Sequence, residues 1–406
     1  GVDGLVVEAF AASDAAQEIG ARDVIVVGMG AHLDADALLG QPGALEVSLA
    51  DGTRTRFAGD VSQVAMLGSD GGLARYRIRI SPWMWRLDQV RNSRVWQDKT
   101  VIEIVDSVFE SYLPLANWRW SDETEHFMRG AMPRSYCCQY RETDLDFVRR
   151  ILTEEGLCWR FEQTAEGPGA VLFADSSQLC AVPEDQSSDA GGGIRFHGAR
   201  SVEQYDSVQA LRSRRRLHAS LATVLSYDYK AKRIVGASSQ SRVKHGRSAP
   251  ALESFDVPGQ YAYANREQAQ RCADLQIDAS DARSQLWQGR STVRSLRAGT
   301  RITITGAPLR QLGEKPGFTI LRVASVGANN MPAAALQGLS DLFGPIAELL
   351  HDAVCDFPPD DVALALEQAR ETGYANCFEA VAADIVWRPA LDDSDGRRRP
   401  KPTARG

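Results

Sequence analysis

Apolar and polar residues alternate most regularly in the first 85 positions of the chain. From Arg75 to Ile80, three apolar side chains alternate with three arginines, which is the two-residue period of a β-strand. The run from Leu45 to Leu49 alternates in the same way and is followed by the hairpin signal Asp51-Gly52. These patterns predict an antiparallel sheet with one dry face and one face in water.

The next block of the chain changes to helical spacing. Thr100 and Glu103 form a capping-box pattern ahead of apolar residues that recur every three or four positions. A second helix is predicted to begin near Thr143, and Gly156 is placed to cap its end. The alternation from Leu157 to Phe161 then predicts a strand, so this block forms a compact helix–glycine–strand unit.

Weaker signals fill the second half of the chain. Ser187 to Gly193 is predicted as a loop, because it is rich in Ser, Asp and Gly, and Asn265 to Ile277 is predicted as a polar helix. Strands are predicted from Ser220 to Tyr229 and from Ser291 to Val326. A last strand, from Phe378 to Trp387, precedes a charged tail that has the composition of a linker.

Residues 331–354 predict an amphipathic helix or a pair of helices. The apolar stripe consists of Leu336, Leu339, Phe343, Ile346, Leu350 and Val354. Packing against the core explains this stripe better than a helix on a membrane surface, because Lys and Arg are absent from the polar face. Three interrupting polar residues, Glu348, His351 and Asp352, exclude a membrane span here.

Composition limits the class of protein. The chain has 406 residues and a formal net charge of -7, which predicts two or three domains that need no disulfide or metal staple. Acidic residues number 53 against 46 Lys and Arg, which argues against a dedicated nucleic-acid binder. We also find no run of about 20 apolar residues and no secretory signal. A cytoplasmic protein without a membrane span is therefore expected.

The seven cysteines are irregularly spaced and contain no CxxC pair. Neither a zinc ribbon nor a thioredoxin motif can be written from them. We therefore expect buried thiols in a reducing compartment.

The sequence contains no complete motif for catalysis or cofactor binding. Gly28-Met29-Gly30 follows a β-branched run, but Leu33 stands where a dinucleotide site needs its third glycine, so a plain strand and turn is predicted. No GxSxG or HExxH motif occurs. A triad assembled from distant Ser, His and Asp stays open, although ordinary surface histidines are favoured. We predict no catalytic residue, no cofactor-binding residue and no metal ligand.

Two charged clusters have structural interpretations. Asp144 and Asp146 lie at the start of a predicted helix, where the helix dipole favours acidic side chains, so we interpret them as capping residues. The basic run Arg212–Arg216 could contact an anion. A solvated strand or loop face is favoured because no aromatic residues interleave with the arginines.

The segment from Arg134 to Phe161 resembles a signature of the VgrG spike proteins of type VI secretion. The family pattern is Gln-Tyr-x-Glu-x-Asp-x-x-Phe, then Arg, Leu, Glu-x-Glu-Gly and an aromatic strand. Residues Gln139 to Phe147 carry its first part, and the elements up to Phe161 carry the rest. Other segments follow in the family's order: Phe57 to Gly59, Gly68 to Tyr76, Pro82 to Trp85, Asn92 to Val101, Asp256 to Tyr261, Leu296 to Gly299, Tyr374 to Ala380 and Trp387 to Pro389.

The resemblance implies a mainly β fold with α+β insertions, of the phage tail hub type. Two related β-barrel domains and smaller α/β subdomains are expected. The expected segments are a first barrel (1–90), an α/β insertion (91–165), a second barrel with a helix (166–330), a helical insertion (331–372), a closing strand (373–390) and a linker (391–406). The linker resembles the segment that leads to an oligonucleotide-binding-like domain in the family, so we expect the hub portion of a longer protein, with the first barrel strand lost.

The resemblance also implies a function. The chain is expected to be the trimeric base of a type VI secretion spike, which sits on the Hcp tube hexamer and is propelled into target cells to deliver effectors. Its expected partners are two further copies, Hcp, baseplate proteins, and effectors or adaptors, without nucleic acid or stable membrane insertion. We expect a structural protein and not an enzyme, cytoplasmic before firing and translocated afterwards.

Two alternatives remain at this stage. A phage or prophage baseplate hub would share the fold and the symmetry. A hydrolase hidden in the 331–372 segment is the other, and His351 would be its first candidate residue.

Overall fold

The structure is a computed structural model that describes residues 4–31, 33–49, 51–164, 167–197, 205–229, 231–243, 250–259, 262–307, 312–346 and 359–390, without the side chains of 359–363 and 366. Within these ranges the strands form one eleven-stranded sheet and three small sheets. The predicted fold class is confirmed, since the chain is mainly β with α+β insertions.

The elements are numbered in chain order. The strands are β1 (Val6–Ala15), β2 (Ala21–Met29), β3 (Pro42–Ser48), β4 (Arg54–Ser69), β5 (Leu73–Ser81), β6 (Arg91–Trp96), β7 (Trp118–Trp120), β8 (Cys137–Thr143), β9 (Cys158–Thr164), β10 (Gly167–Phe173), β11 (Ile194–Arg195), β12 (Val208–Arg215), β13 (Leu221–Asp228), β14 (Arg233–Gln240), β15 (Glu253–Asp256), β16 (Gln285–Ser291), β17 (Arg301–Thr305), β18 (Gly317–Ala328) and β19 (Tyr374–Ala382). The helices are α1 (Ala35–Leu38), α2 (Trp85–Gln89), α3 (Val101–Glu110), α4 (Asp122–Met128), α5 (Asp144–Glu154), α6 (Gln186–Gly191), α7 (Arg266–Ser284), α8 (Ala333–Phe343) and α9 (Pro359–Thr372).

The first barrel is an antiparallel row in the order β1-β2-β5-β4-β3. Its core contains Phe10, Val24, Val26, Leu45, Phe57, Tyr76, Ile78 and Ile80. The long strand β4 bends so that the β3–β4 hairpin covers this core, and its pairing with β5 shifts register after Val61. Gly59 is required at the bend, because a Cβ there would overlap the carbonyl of Ser81.

The second barrel follows from the row β12-β16-β19-β18, extended by β17 and then β11. A bridge between Phe196 and Val208 returns the row to β12, so the six strands close around their own core. That core contains Ile194, Val208, Trp287, Ile302, Ile304, Phe318, Ile320 and Phe378. Antiparallel pairing of β1 with β18 joins the two barrels into the eleven-stranded sheet.

The α/β insertion lies between the barrels in the sequence. Helices α2 to α5 pack with the β6–β8 pair and the β7-β10-β9 sheet around a core that includes Trp83, Phe109, Phe147, Trp159 and Leu172. Trp83 and Phe109 meet edge to face at 5.1 Å between ring centroids. Strand β10 pairs with β9 and packs into this core, so the hairpin extends past residue 165, where we placed a segment boundary.

Two helical additions complete the described chain. Helix α7 packs on one face of the small β14-β13-β15 sheet through Val224, Val235, Ala269 and Ala273. Helices α8 and α9 belong to the connection from β18 to β19. They cover small apolar residues on the face of the large sheet opposite the barrel cores, where Ala365 and Ala369 of α9 are buried.

The locally encoded elements agree with their predictions. Thr100 and Glu103 form the predicted capping box at α3. Thr143 caps α5 by accepting a hydrogen bond from the amide of Asp146, and Gly156 follows that helix at a φ of 74°. Asn265 caps α7, which ends at Ser284 and is therefore longer than predicted. Each of these capping residues acts within one helical turn, so local contacts alone determine where the helix begins or ends.

Three predictions are wrong. The predicted loop Ser187–Gly193 is mostly helix α6, because Asp185 accepts hydrogen bonds from two amides of its first turn. The last strand begins at Tyr374 instead of Phe378 and ends at Ala382, since its pairing with β18 sets its limits. Cys180 is exposed, in contrast to the expectation of buried thiols, which holds for Cys137, Cys158 and Cys377.

Candidate functional site

The signature segment places its acidic residue Asp144 in a buried polar cluster. The carboxylate accepts hydrogen bonds from Tyr112 Oη (2.8 Å), from Gln139 Nε2 (2.7 Å) and from the guanidinium of Arg94. Burial and this neighbouring carboxylate raise the pKa of Tyr112. Asp144 therefore joins β6, β8 and the turn after α3 to the start of α5, a role that goes beyond the helix capping predicted for it.

A second set of ion pairs surrounds the end of α5. Arg134 contacts Glu154 at 2.7 Å and Glu155 at 2.9 Å. Arg150 contacts Glu142 at 2.5 Å. All five side chains are less than one-fifth exposed, so these are partly buried pairs and not solvated surface bridges.

The glycine that ends α5 is the point where the insertion meets the second barrel's helix. A Cβ at Gly156 would overlap the side chain of Leu275 on α7. Beside it, Arg388 donates hydrogen bonds to the carbonyls of Gly156 (3.0 Å) and Ala174 (2.6 Å) and pairs with Asp278 of α7 at 3.0 Å. The signature motif thus holds subdomains together, and its polar groups bind one another.

The candidates for chemistry lie in separate parts of the described chain. Within the described residues, no group of three or more His, Cys, Asp or Glu side chains could hold a metal ion. Gly28 to Gly30 forms the predicted strand end and turn, with Gly30 at a φ of 73°. Arg212 to Arg215 lie on the exposed part of β12, as predicted. His351 lies outside the described residues.

A cleft of about 690 Å³ lies between the large sheet and the α/β insertion. Three arginines line it. Arg79 pairs with Asp23 at 2.8 Å, and Arg322 pairs with Glu18 at 2.9 Å. The third, Arg149, donates a hydrogen bond to the carbonyl of Gln17 at 3.3 Å and lies over the Trp159 ring. All three guanidinium groups therefore already have partners within the protein.

One arginine of β5 is buried, which the alternating sequence pattern did not predict. Arg75 was expected on the solvated face of the strand, but its side chain is fully buried. It pairs with Glu8 at 2.9 Å and donates hydrogen bonds to the carbonyls of Leu339 (3.2 Å), Phe343 (3.2 Å) and Gly344 (2.9 Å). It therefore anchors the C-terminal end of α8 to the sheet, and the expectation of one wet face is wrong at this end of the strand.

The two ends of the large sheet are its candidate assembly surfaces. Strand β12 stands at one end of the order, and the β3–β4 hairpin stands at the other. The exposed side of β12 carries Arg212, Arg214 and Arg215, whereas α1 beside β4 carries the exposed acids Asp34 and Asp36. Alternation in the sequence indicated the strands, but their order in the sheet depends on long-range pairing.

Within the described part of the chain, no helix combines the length and the hydrophobicity needed to cross a membrane.

Comparisons with known proteins agree with the resemblance seen in the sequence. The type VI secretion system spike protein VgrG1b of Pseudomonas aeruginosa is 27% identical over 278 residues, which cover 68% of this chain and 35% of that protein. VgrG1a of the same organism is 27% identical over 320 residues, covering 76% and 46%. The chain thus spans less than half the length of these curated relatives.

Solved structures share the fold. The E. coli c3393 protein, described as a component of the type VI secretion system with structural similarity to the T4 tail proteins gp27 and gp5, matches with a TM-score of 0.60 at 17% identity. That match covers 95% of this chain and 77% of the other. The 43 kDa tail protein of prophage MuSo2 from Shewanella oneidensis matches with a TM-score of 0.57 at 11% identity, covering 94% and 96%. The profile of the phage tail baseplate hub (GPD) family matches residues 20–331, most of the chain, and the chain belongs to that family.

Proposed function

We propose that this chain is the hub portion of a type VI secretion spike. Three copies form its base, which sits on the Hcp tube hexamer, contacts the baseplate and carries effectors or adaptors. The action is mechanical, not enzymatic: contraction of a sheath drives the rigid assembly forward. The similarity to VgrG spike proteins over more than two thirds of the chain supports this assignment.

The observation that carries the proposal is the shared sheet. Two barrels stand side by side in one subunit, and the strand order ends at β12 and at the β3–β4 hairpin. Three such subunits joined end to end present six barrels, which match a hexameric tube. Closing the ring places the β3–β4 hairpin and the part of β12 beyond its bridge at Val208 against neighbouring subunits, and closure is the most complete way of protecting sheet edges.

The proposed localisation follows from this role. The protein is in the cytoplasm before firing and is translocated into the target cell by the apparatus. A rigid body suits that task, because direct hydrogen bonds join the parts of the subunit. Gln17 of the first barrel donates to Thr153 of the insertion at 2.7 Å, and Arg297 of the second barrel donates to the carbonyl of Arg56 in the first at 2.5 Å.

The test uses the full-length protein. Light scattering should give the mass of a trimer, and purified tube protein should be retained by the immobilised spike. A strictly monomeric full-length protein would contradict the proposal.

A matched pair of variants locates the contact. Met66 lies in β4, at one end of the sheet, and is 53% exposed; Met132 lies in the insertion and is 51% exposed. Met66→Lys should weaken trimer formation at least tenfold because Lys on an end strand opposes pairing. Met132→Lys should leave it unchanged. Equal behaviour of the two variants would place the contact elsewhere.

A phage or prophage baseplate hub is compatible with the same fold and family. Neighbouring genes for a sheath and a membrane complex, without capsid genes, would support the secretion spike over this alternative. For the hydrolase alternative, purified full-length protein should show turnover that His351→Ala abolishes. We expect no such turnover.

A further inference from the structure

One face of the large sheet is shared by both barrels but belongs to neither core. Residues on one side of neighbouring strands define it, and we call it the common face. From β12 to β1 the cross-strand pairs run through Arg212, Gln288, Glu379, Arg322 and Ala15. Ala11, on the same side of β1, then pairs with Asp23 of β2, which pairs with Arg79 of β5. Polar contacts run along this row, including Arg212 to Gln288 at 3.2 Å and Gln288 to Glu379 at 3.1 Å. It is therefore a largely charged surface that extends across seven strands.

At the other end of the strands, the common face is apolar and made mostly of small residues. Ala9, Ala11, Ala324, Ala375 and Cys377 are buried there together with Ile25 and Val326. Helix α9 packs Ala365 and Ala369 against them, and small side chains on both elements permit close approach. The helices α8 and α9 therefore lie on the common face, not on the outside of a barrel.

The two sides of the sheet differ in thickness, and this difference indicates which side turns toward the axis of the ring. Both barrel cores lie on the opposite side of the sheet, where the β3–β4 hairpin and the β17–β11 pair add a second wall. A closed ring has less room toward its axis than away from it. Hence the thicker, double-walled side turns outward, and the common face turns toward the axis.

We propose that α8 and α9 of the three subunits lie inside the channel of the ring and narrow it, with α8 of each subunit facing those of the other two copies. This rests on the trimeric ring proposed above. The exposed side of α8 is mostly apolar and carries no Lys or Arg: it consists of Ala333, Ala334, Ala335 and Leu342, with Gln337 hydrogen-bonded to Asp341 at 2.8 Å.

Strand geometry gives the size of the bore. Three subunits that each supply the seven strands of the common face, spaced by about 4.8 Å and tilted by about 40°, enclose a channel about 40–50 Å wide between opposing backbones. A helix about 10 Å in diameter, packed on the wall about 10 Å from the sheet, extends about 15 Å inward. The remaining bore is about 10–20 Å. A folded domain of about 100 residues has a radius of gyration of about 13 Å and does not pass, whereas an unfolded segment does.

Contacts of Arg75 hold the end of α8 against the sheet. Its guanidinium binds the carbonyls of Phe343 and Gly344 and lies 5.2 Å from the Phe343 ring centroid. Because Leu339 is the one fully buried position that α8 supplies among its described residues, these contacts account for much of the attachment of α8.

Electron microscopy of the full-length trimer tests the proposal without any variant. Helical density inside the ring, against the common face, is expected. A trimer with α8 and α9 on its outer surface would overturn this inference and leave the proposed function intact. A protein that forms no trimer would instead overturn the proposed function.

Spin labels give an independent test in solution. In a Cys180→Ser background, a label at Leu342→Cys should show distances between subunits below about 40 Å, which is the width of the channel. A label at Ile234→Cys, on the separate β14-β13-β15 sheet and 70% exposed, serves as the control and should give longer distances. Distances above about 55 Å for the Leu342 label would place α8 outside the ring and refute the proposal.

Discussion

The guanidinium of Arg75 lies 2.9 Å from the carboxylate of Glu8, and neither side chain is exposed to solvent. Burial raises the pKa of Glu8, although the adjacent cation opposes that shift. Both partners occupy strands of the first barrel, but the cation also binds the end of a helix 264 or more positions later in the chain. The pair is therefore a long-range junction between the sheet and the helical insertion.

Removing one partner of this pair should be costly. Arg75→Met should lower the free energy of unfolding by about 3–5 kcal/mol, because it leaves Glu8 buried without its counter-charge. The double variant Glu8→Gln/Arg75→Met should recover part of that loss, since no buried charge is left unpaired. Urea denaturation of the wild type, of both single variants and of the double variant measures this. Additive losses in the double variant would show that the two side chains are not coupled.

The signature residue Asp144 and its neighbour Asp146 provide a matched comparison on one helix turn. Asp144 is buried and accepts three side-chain hydrogen bonds, whereas Asp146 is exposed. Asp144→Ala should lower the free energy of unfolding by about 3 kcal/mol, and Asp146→Ala by about 0.5 kcal/mol through the helix dipole alone. Thermal unfolding followed by circular dichroism distinguishes them. Similar losses would mean that both acids act only as helix caps.

These two residues also show which features could be predicted from the sequence and which could not. The helix that carries both acids was predictable because Thr143 and Gly156 set its ends through contacts within a few residues. The burial of Asp144 was not, because it depends on Arg94 and Tyr112, which approach only after two other elements have packed. Local signals predicted the elements, and tertiary contacts decided which of their polar residues became buried.

Arg75 illustrates the same limit for strands. The alternation in β5 correctly predicts which side chains share a face, since Tyr76, Ile78 and Ile80 all enter the barrel core. It contains no information about a helix that later covers the other face. The signal that could have indicated burial lies far away, in the apolar stripe of residues 331–354, whose covering partner was not identifiable from spacing alone.

Gly156 should be one of the least replaceable glycines of the chain. Its φ of 74° disfavours other residues, and a Cβ would overlap Leu275. Gly156→Ala should therefore lower the free energy of unfolding by about 2 kcal/mol or more. Gly130→Ala is the control, because a Cβ there meets open space, and it should change stability by less than about 0.5 kcal/mol. Equal stabilities of the two variants in urea would contradict the proposed close contact with α7.

Arg297 ties the second barrel to the hairpin of the first. Its guanidinium lies 4.3 Å from the centroid of the Phe57 ring, on which Arg22 also lies at 4.6 Å, and it donates a hydrogen bond of 2.5 Å to the carbonyl of Arg56. Burial, together with the nearby charge of Arg22, lowers the pKa of Arg297 to about 10.

Loss of this contact should loosen the hairpin. Arg297→Ala should lower the free energy of unfolding by about 2 kcal/mol, because a desolvated cation–π contact and a charged hydrogen bond are lost together. Arg54→Ala, which removes an exposed ion pair with Glu46 on the same hairpin, should cost less than about 1 kcal/mol. Hydrogen exchange of β3 and β4 amides should accelerate in the first variant and not in the second. Unchanged exchange in Arg297→Ala would show that the hairpin is held by other contacts.

The capping box of α3 predicts an acid-dependent contribution to stability. Hydrogen bonds from Lys99 and from the amide and hydroxyl of Thr100 lower the pKa of Glu103 to about 2. A carboxyl whose pKa is lower in the folded state stabilises the fold above its unfolded value near 4.5, and this contribution disappears as the pH falls toward 2. Glu103→Gln should therefore be less stable than the wild type at pH 6, and the difference should shrink steadily between pH 4.5 and 2. Urea denaturation at several pH values measures it. A difference between the two proteins that stays constant down to pH 2 would mean that ionisation of Glu103 does not matter to the cap.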